Sequence, residues 1–364
     1  MKTRLAIELG RASVFVIVLT LAFTGIYGYA EAGVNEETVA FVNGDKIHGL
    51  EIREALGLWG GAISASDIPE EKKKEALDRL IAGRLLEQSA RSKDLDNTDV
   101  FRERMTQGEP GLLIPALFRA EAASKVKITG EEIKAEAGRL KKADKELAAE
   151  EARLRAKQAV LESKFRKANE DLIVTARKEA GVTLNDETLG KIAGSDNVLD
   201  NAVLGTAGPE SVTYGDVKKI LQRMGGEKRA GSDFSGNSAM VRGMLDRELT
   251  RIALTVYAKK MRIEESEWMG RLHRELERSV LIDILAEKVI LKGVTVTDKE
   301  IRDTYAKHSQ MLVRNGKTIP LSEVKEEIRR VVQSEKRNKA MKDYVEKRKK
   351  KAKIKINEKL LQKI

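Results

Sequence analysis

The chain contains no cysteine and only five prolines and three histidines, and aromatic residues make up 4% of its 364 residues. Without cysteine it forms neither a disulfide nor a thiolate metal site. Scarce proline removes the commonest interruption of a helix. Charged residues make up 34% of the chain, which favours helices with narrow apolar stripes over one thick core. These absences predict a mainly α fold that binds no metal and no cofactor.

One stretch of the chain occurs twice. Residues 160–192 return as residues 332–364, and each copy runs from a charged helix into a short alternating segment and a last helical turn. Further upstream, residues 126–133 match residues 294–301 at a slightly smaller offset. Small insertions in loops account for the difference between the offsets. Self-similarity of this kind predicts two tandem copies of one helical module, each with a small β-hairpin and a terminal strand.

The N-terminal segment has the pattern of an export signal. Lys2, Arg4 and Arg11 precede an uncharged run from Ala12 to Ala30, and an A-x-A site ends at Ala32. Residues 1–32 are therefore predicted to be a secretory signal peptide. A run of this length could instead remain as an anchor, so that residues 12–30 contact the inner membrane. Both alternatives place the rest of the protein in the periplasm.

The first module is predicted to cover residues 33–195 and the second residues 196–364. The first opens with an alternating segment around Asn43-Gly44, a pair typical of a type I′ hairpin turn. In the second, Pro209 and an extra residue are expected to replace this turn. The loop between Gly225 and Ser238 is expected to be mobile because it is rich in glycine and serine.

Apolar spacing and capping patterns place the main helices. Stripes of leucine and isoleucine predict helices at 69–93 and 264–291. Thr129-x-x-Glu132 and Thr297-x-x-Glu300 are capping boxes that open equivalent helices. The segment 129–180 then forms a charged arm, which is either one helix of about 75 Å or a hairpin that turns near Asp144.

The C-terminal helix and strand are strongly basic. Residues 336–359 contain twelve lysines and arginines and three acidic residues. A solvated helix face explains such a run most simply, and an anionic membrane or an acidic client is the alternative. Nucleic acid is not expected as a partner, because acids are interspersed through the rest of the chain and the protein is predicted to be exported.

Four segments, taken in order, resemble the chaperone module of the SurA/PpiD/PrsA type of periplasmic chaperone. They are FVNGDKIHGLEIREAL (41–56), ALDRLIAGRLLEQSARSKDL (76–95), VKITGEEIKAEA (126–137) and KKAKIKINEKLLQKI (350–364). The resemblance implies a helical cradle for unfolded exported chains. It also implies a small sheet that joins the start of a module to a terminal strand. Phe41 and Val42 would then neighbour either Val182 or Ile354, according to whether a module closes on itself or on the other copy.

The same family usually carries a parvulin isomerase domain of roughly ninety residues between the equivalents of Glu136 and Ala159. That interval is too short here, as is the interval from Asp303 to Val331 in the second copy. The resemblance therefore implies a non-catalytic, holdase-type chaperone that binds unfolded or partly folded envelope proteins. A dedicated assembly or scaffold factor for one partner is the alternative, and a peptidyl-prolyl isomerase is the third reading.

No catalytic pattern stands out. His48, His273 and His308 lie in different predicted elements, and nucleotide-binding or nucleophile-elbow motifs are absent. Large apolar residues at helical spacing are either core or a lining for client segments, since exposed apolar patches mark binding surfaces. The candidate client-binding residues are Leu56, Trp59, Leu112, Leu113, Leu117, Phe118, Ile220, Trp268 and Met269.

Overall fold

The computed structural model describes residues 37–56, 68–122, 126–194, 197–225, 237–314 and 317–364. It begins with a hairpin, β1 (Thr38–Val42) and β2 (Asp45–His48), whose turn residues Asn43 and Gly44 have φ of 53° and 101°. Positive φ at both central positions is the type I′ geometry that the Asn-Gly pair predicts. The third strand of this sheet is β8 (Ile354–Ile356), which pairs antiparallel with β1. We call this three-stranded sheet the N-terminal sheet.

A second three-stranded sheet has the same construction. Its hairpin is β4 (Val203–Ala207) and β5 (Glu210–Thr213), and β3 (Thr183–Leu184) pairs with β4. Each pair of opposite residues in this hairpin has its equivalent 165 positions earlier in the first hairpin. For example, Val203↔Thr213 is equivalent to Thr38↔His48. The expectation of an extra residue in the second turn is wrong. Gly208, with φ of 57°, and Pro209 form a two-residue turn that leaves the register unchanged.

The two sheets exchange their terminal strands. Val42 pairs with Ile354 and Phe41 with Lys355, so the hairpin of the first copy is closed by the last strand of the second. Thr183, at the end of the first copy, pairs with Thr206 in the hairpin of the second. The alternatives left open by the sequence are thereby resolved, because each copy closes on the other.

Helices make up most of the fold, which confirms the mainly α class. The predicted helix at 69–93 runs over Glu70–Arg91, and the one predicted at 264–291 begins at Glu267 and widens into a π turn after Leu285. In the first half the helices are α1 (Gly49–Ala55), α2 (Glu70–Arg91), α3 (Asp99–Gly108), α4 (Leu113–Leu117), α5 (Gly130–Ala143), α6 (Ala149–Glu179) and α7 (Asp186–Ala193). In the second half they are α8 (Tyr214–Gly225), α9 (Ser238–Lys260), α10 (Glu267–Leu285), α11 (Asp298–His308), α12 (Leu321–Lys349) and α13 (Glu358–Lys363).

The hydrophobic interior combines residues from both sequence copies. Val39, Ile47 and Ile52 from the start of the chain pack with Leu361 and Ile364 from its last helix. On the other side, Leu189 and Ile192 of α7 pack with residues of β4, β5, α8 and α9. Further along, α2 packs against α10, and ion pairs join Glu87 to Arg278 and Arg91 to Glu277 across that contact. The boundary near residue 195 therefore separates two copies in sequence but not two separate cores.

The arm at 129–180 is a helical hairpin. Helix α5 ends at Ala143 and α6 begins at Ala149, with Leu147 of the connecting turn buried. Of the residues with heptad spacing, Leu161 is also buried, whereas Leu154 is 42% exposed. The other seam position of the heptad repeat holds the polar residues Asp144, Glu151 and Gln158, so the repeat cannot sustain a long coiled coil.

The second arm has the same base and a different tip. Both capping boxes form, with Thr129 and Thr297 at the N-caps of α5 and α11. Lys164 donates to the carbonyl of Lys127 at 2.5 Å and pairs with Glu132, and Lys336 repeats this with the carbonyl of Thr295 and with Glu300. At the tip of the second arm lies a short hairpin, β6 (Val313–Arg314) and β7 (Lys317–Thr318), where the first arm has only a turn.

Two sequence predictions fall on residues beyond this description. Helix α1 ends at Ala55, and the candidate client-binding residue Trp59 falls at 57–67, outside the described residues. The loop expected to be mobile lies outside them as well, at residues 226–236. Within the ranges that are described, no helix is both long and apolar enough to cross a bilayer.

Candidate client-binding site

Most of the candidate residues meet in one hydrophobic cluster. It lies where α4 and the following π turn of the first copy meet α9 and α10 of the second, with α6 alongside. We call it the junction cluster. It contains Leu112, Leu113, Leu117, Phe118, Trp268 and Met269, together with Leu172 and Ala176 of α6 and Leu254 and Ala258 of α9.

Four of these candidates are interior residues. Leu112, Leu113, Leu117 and Phe118 are at most 8% exposed, so they are held in contact with neighbouring helices. Of the two roles that the sequence left open for them, core and client lining, their positions fit the core. Burying such side chains stabilises the fold by about 1.5–3 kcal/mol each, and they offer little surface to a client. Trp268 and Met269 lie half-buried at the rim.

Of the remaining three candidates, the two that the structure describes lie apart from the junction cluster. Leu56 follows α1 and packs at the edge of the core below the N-terminal sheet. Ile220 is half-buried on α8. Trp59 lies outside the described residues. The nine candidates therefore do not form one surface.

A groove at the base of the first arm is a candidate surface for a peptide segment. It has a volume of about 470 Å³, and we call it the arm-base groove. Its apolar lining comes from Val126, Ala168, Leu172 and Tyr257. Ala168 packs against both the junction cluster and a small cluster in which Val126 and Ile128 contact α6. Its charged lining comes from Glu121, Lys127, Lys164, Lys167 and Asp171, with Thr175 at one end.

The groove combines an apolar floor with mixed charge on its walls. Lys167 and Asp171 form an exposed ion pair at 3.3 Å on one wall. Ion pairs of this kind contribute at most about 1 kcal/mol, so a client can displace them at little cost. The apolar floor offers the kind of surface found in ligand sites, and the walls carry more charge than is usual in a small-molecule site.

Sequence reasoning missed this groove for a physical reason. Ala168, Leu172 and Thr175 have the i, i+4, i+7 spacing of one helix face, and that signal is present in the sequence. Small and polar residues do not stand out as a binding lining, however. Tyr257 joins them only because α9 of the second copy packs against α6.

Trp268 is held between two arginines. The guanidinium carbons of Arg119 and Arg271 lie 5.7 and 5.0 Å from the centroid of its ring, within the range of a cation–π interaction. Arg119 also approaches Glu275 at 3.8 Å, and Arg271 approaches Glu54 at 3.7 Å. These contacts fix the orientation of the tryptophan at the rim of the junction cluster.

The two carboxylates beside these arginines have raised pKa values. Burial, and next the charge of Glu275, raise the pKa of Glu54 to about 7 against the opposing effect of Arg119 and Arg271. Burial also raises the pKa of Glu275, again against Arg119 and Arg271. Glu54 is therefore close to half-protonated near neutral pH, which couples the stability of this region to pH.

The histidines lie apart in the described residues. His273 contacts Glu109 at 3.0 Å on the surface of α10, whereas His48 begins α1 and His308 ends α11. No group of three or more potential metal ligands forms within the part of the chain that the structure describes.

Comparison with known proteins gives one match. The family model of the SurA-like N-terminal domain matches residues 8–103. In the structure this stretch includes β1, β2, α1, α2 and the start of α3. Searches of curated proteins and of solved structures found no match.

Proposed function

We propose that this chain is an exported chaperone that binds unfolded or partly folded envelope proteins in the periplasm, because residues 8–103 match the model of the SurA-like N-terminal domain. The family match is the observation that carries the proposal. Residues 1–32 act as the export signal or as an anchor. The second copy, which shares the sheet register and the arm base of the first, is proposed to be a further SurA-like module.

The arm-base groove is the proposed client site. An apolar side chain of an extended client loses contact with water against Tyr257, Leu172 and Val126, and the charged rim keeps the client backbone solvated. An unfolded client loses conformational entropy when it binds, so the affinity per area of interface is low and binding is reversible. Weak, reversible burial is the behaviour required of a holdase.

The proposed chaperone has no isomerase activity. This part of the proposal is supported by the two intervals in which the family usually carries a parvulin domain. Residues 136–159 contain the end of α5, a turn and the start of α6, and the described part of 303–331 contains the end of α11, the short hairpin and the start of α12. A refolding assay limited by proline isomerisation tests this, and a catalytic acceleration of the slow phase would contradict it.

Suppression of aggregation tests the chaperone function. The purified chain from residue 33 onward, mixed with an unfolded outer-membrane protein, is expected to reduce light scattering at a few-fold excess. No suppression at that excess would refute the proposal.

Photo-crosslinking tests the site. A photoreactive side chain in place of Thr175, at the end of the groove, is expected to crosslink the client. The matched control is the same side chain in place of the neighbouring Val174, which is 66% exposed on α6 and does not line the groove. Random collisions would favour Val174, so equal or stronger crosslinking there would exclude the groove. Crosslinks in cells to one stoichiometric partner would favour a dedicated assembly factor instead.

A further inference from the structure

The outer face of the N-terminal sheet carries an aromatic side chain between lysines. Phe41, on the central strand, is 39% exposed and is paired with Lys46 on β2 and with Lys355 on β8. Directly opposite residues on neighbouring strands project from the same face of a sheet. Lys353, beside the turn at Asn43, lies two residues from Lys355 and extends this face. We call these four residues, Phe41, Lys46, Lys353 and Lys355, the basic sheet face.

The charges on this face are not neutralised within the fold. Lys46, Lys353 and Lys355 are exposed, and none of them has a carboxylate partner among the described residues. The one acid in the three strands is Asp45, whose carboxylate accepts a hydrogen bond from Gln88 of α2 at 2.6 Å. The face therefore presents three ammonium groups around one exposed phenyl ring.

The second sheet provides an internal comparison. At the positions equivalent to Lys46, Phe41 and Lys355 it has Ser211, Thr206 and Thr183, which occupy the same register. The hydroxyls of Thr183 and Thr206 lie 2.7 Å apart and bond to each other. The fold thus tolerates a neutral, internally satisfied face at this place, so strand pairing does not require the lysines and the phenylalanine of the N-terminal sheet.

The position of this face in the sequence indicates which kind of partner it binds. Its central strand begins at Thr38, and only seven residues separate that position from the uncharged run that ends at Ala30. A fully extended link of this length reaches at most about 28 Å. If the run is retained in a bilayer, the N-terminal sheet stays close to the membrane surface. On the other side β8 follows the basic end of α12, where residues 347, 348, 349, 350 and 351 are all lysine or arginine.

We propose that the basic sheet face binds the surface of a membrane that contains anionic lipid. Lys46, Lys353 and Lys355 contact headgroup phosphates, and Phe41 inserts among the headgroups. Each lysine near an anionic surface is expected to raise the partition coefficient about fivefold. This binding is independent of the client groove, because the arm-base groove shares no residue with the basic sheet face.

Co-sedimentation with vesicles tests the proposal. Residues 37–364 contain every contact described above, so the chain from residue 33 onward can be used without the uncharged run. It is expected to bind vesicles that contain about one third phosphatidylglycerol more tightly than vesicles of phosphatidylcholine alone, and this binding is expected to weaken at high salt without disappearing. The double variant Lys353→Gln/Lys355→Gln is expected to lower the partition coefficient about 25-fold. Phe41→Ser is expected to remove the binding that persists at high salt.

The matched control is Lys141→Gln/Lys142→Gln, which removes the same charge from exposed positions on α5. A loss of about threefold or less in this variant supports a specific face, because net charge alone then explains little. Equal losses in the two double variants, or no binding to anionic vesicles, would overturn the proposal. Binding to polyglutamate without binding to vesicles would also overturn it and would identify an acidic polypeptide as the partner. Thermal melts of all variants verify that they are folded.

Discussion

Substitution of one leucine at the end of the chain is expected to loosen the hairpin at its beginning. Leu361 of α13 is 1% exposed and packs with Val39, Ile47 and Ile52. Its equivalent in the first copy, Leu189 of α7, is 5% exposed and packs with Leu204 and Val212 of the second hairpin. A buried Leu→Ala change costs about 2–5 kcal/mol, from lost burial and from the cavity that remains.

Hydrogen exchange followed by mass spectrometry measures this effect in each sheet separately. If the sheet opens locally, a loss of about 2 kcal/mol lowers amide protection about 30-fold. Leu361→Ala is expected to lower protection in residues 38–48 and to leave residues 203–213 nearly unchanged. Leu189→Ala is expected to have the opposite effect.

The two variants control for each other, since they remove the same atoms from equivalent positions. If each copy closed on itself, the pattern would be reversed, with Leu361→Ala exposing residues 203–213. That reversal would refute the exchanged arrangement of the terminal strands. Equal losses in both hairpins for both variants would contradict the local coupling, because they would mean that the sheets open only in one global step.

Three further predictions concern single side chains. The hydrogen bond from Lys336 is the main reason why the pKa of Glu300 is lowered to about 2. Ionised Glu300 therefore stabilises the fold fully above about pH 4.5, and this stabilisation is lost as the pH falls towards 2. Lys336→Met is expected to raise the pKa of Glu300 in a carboxyl NMR titration, and an unchanged pKa would exclude a stabilising interaction between Lys336 and Glu300. Because the pKa of Glu54 is raised to about 7, stability falls as the pH rises from 4.5 towards 7, and Glu54→Gln is expected to flatten the dependence of Tm on pH there. In Gly205→Ala the new Cβ would lie 2.7 Å from the carbonyl oxygen of Thr183, so urea unfolding should show a loss of about 2 kcal/mol, whereas Gly138→Ala, with no neighbour within 4 Å, should be neutral or stabilising.

The local elements of the fold were predictable because their signals lie within a few residues of each other. The Asn43-Gly44 turn and both threonine capping boxes form where the sequence places them. Such features depend on backbone conformation and on contacts three residues apart, which are the same in an isolated segment and in the fold. The extra residue expected near Pro209 was wrong, because Gly208 and Pro209 form a two-residue turn. The helix predicted at 264–291 begins at Glu267 and changes to a π turn after Leu285.

The candidate site was predictable only in part. Apolar spacing identified the residues of the junction cluster, and they do come together. It could not separate core from binding surface, because both need large apolar side chains at the same helical period. The arm-base groove combines small, polar and charged residues of α6 with Tyr257 of α9, and no pattern in either helix specifies the other.

The sequence by itself determined that the chain is mainly helical, and its internal repeat predicted two copies of one module, each ending in a strand able to complete a hairpin sheet. It did not determine which hairpin each strand completes. Val182 and Ile354 stand at the start of equivalent terminal segments, and either segment could supply the same backbone hydrogen bonds. The pattern of residues therefore does not indicate which hairpin each strand pairs with. Only the packing of α2 on α10 and of α9 on α6 decided it, because these contacts bring the last strand to the first hairpin and leave the end of the first copy beside the second.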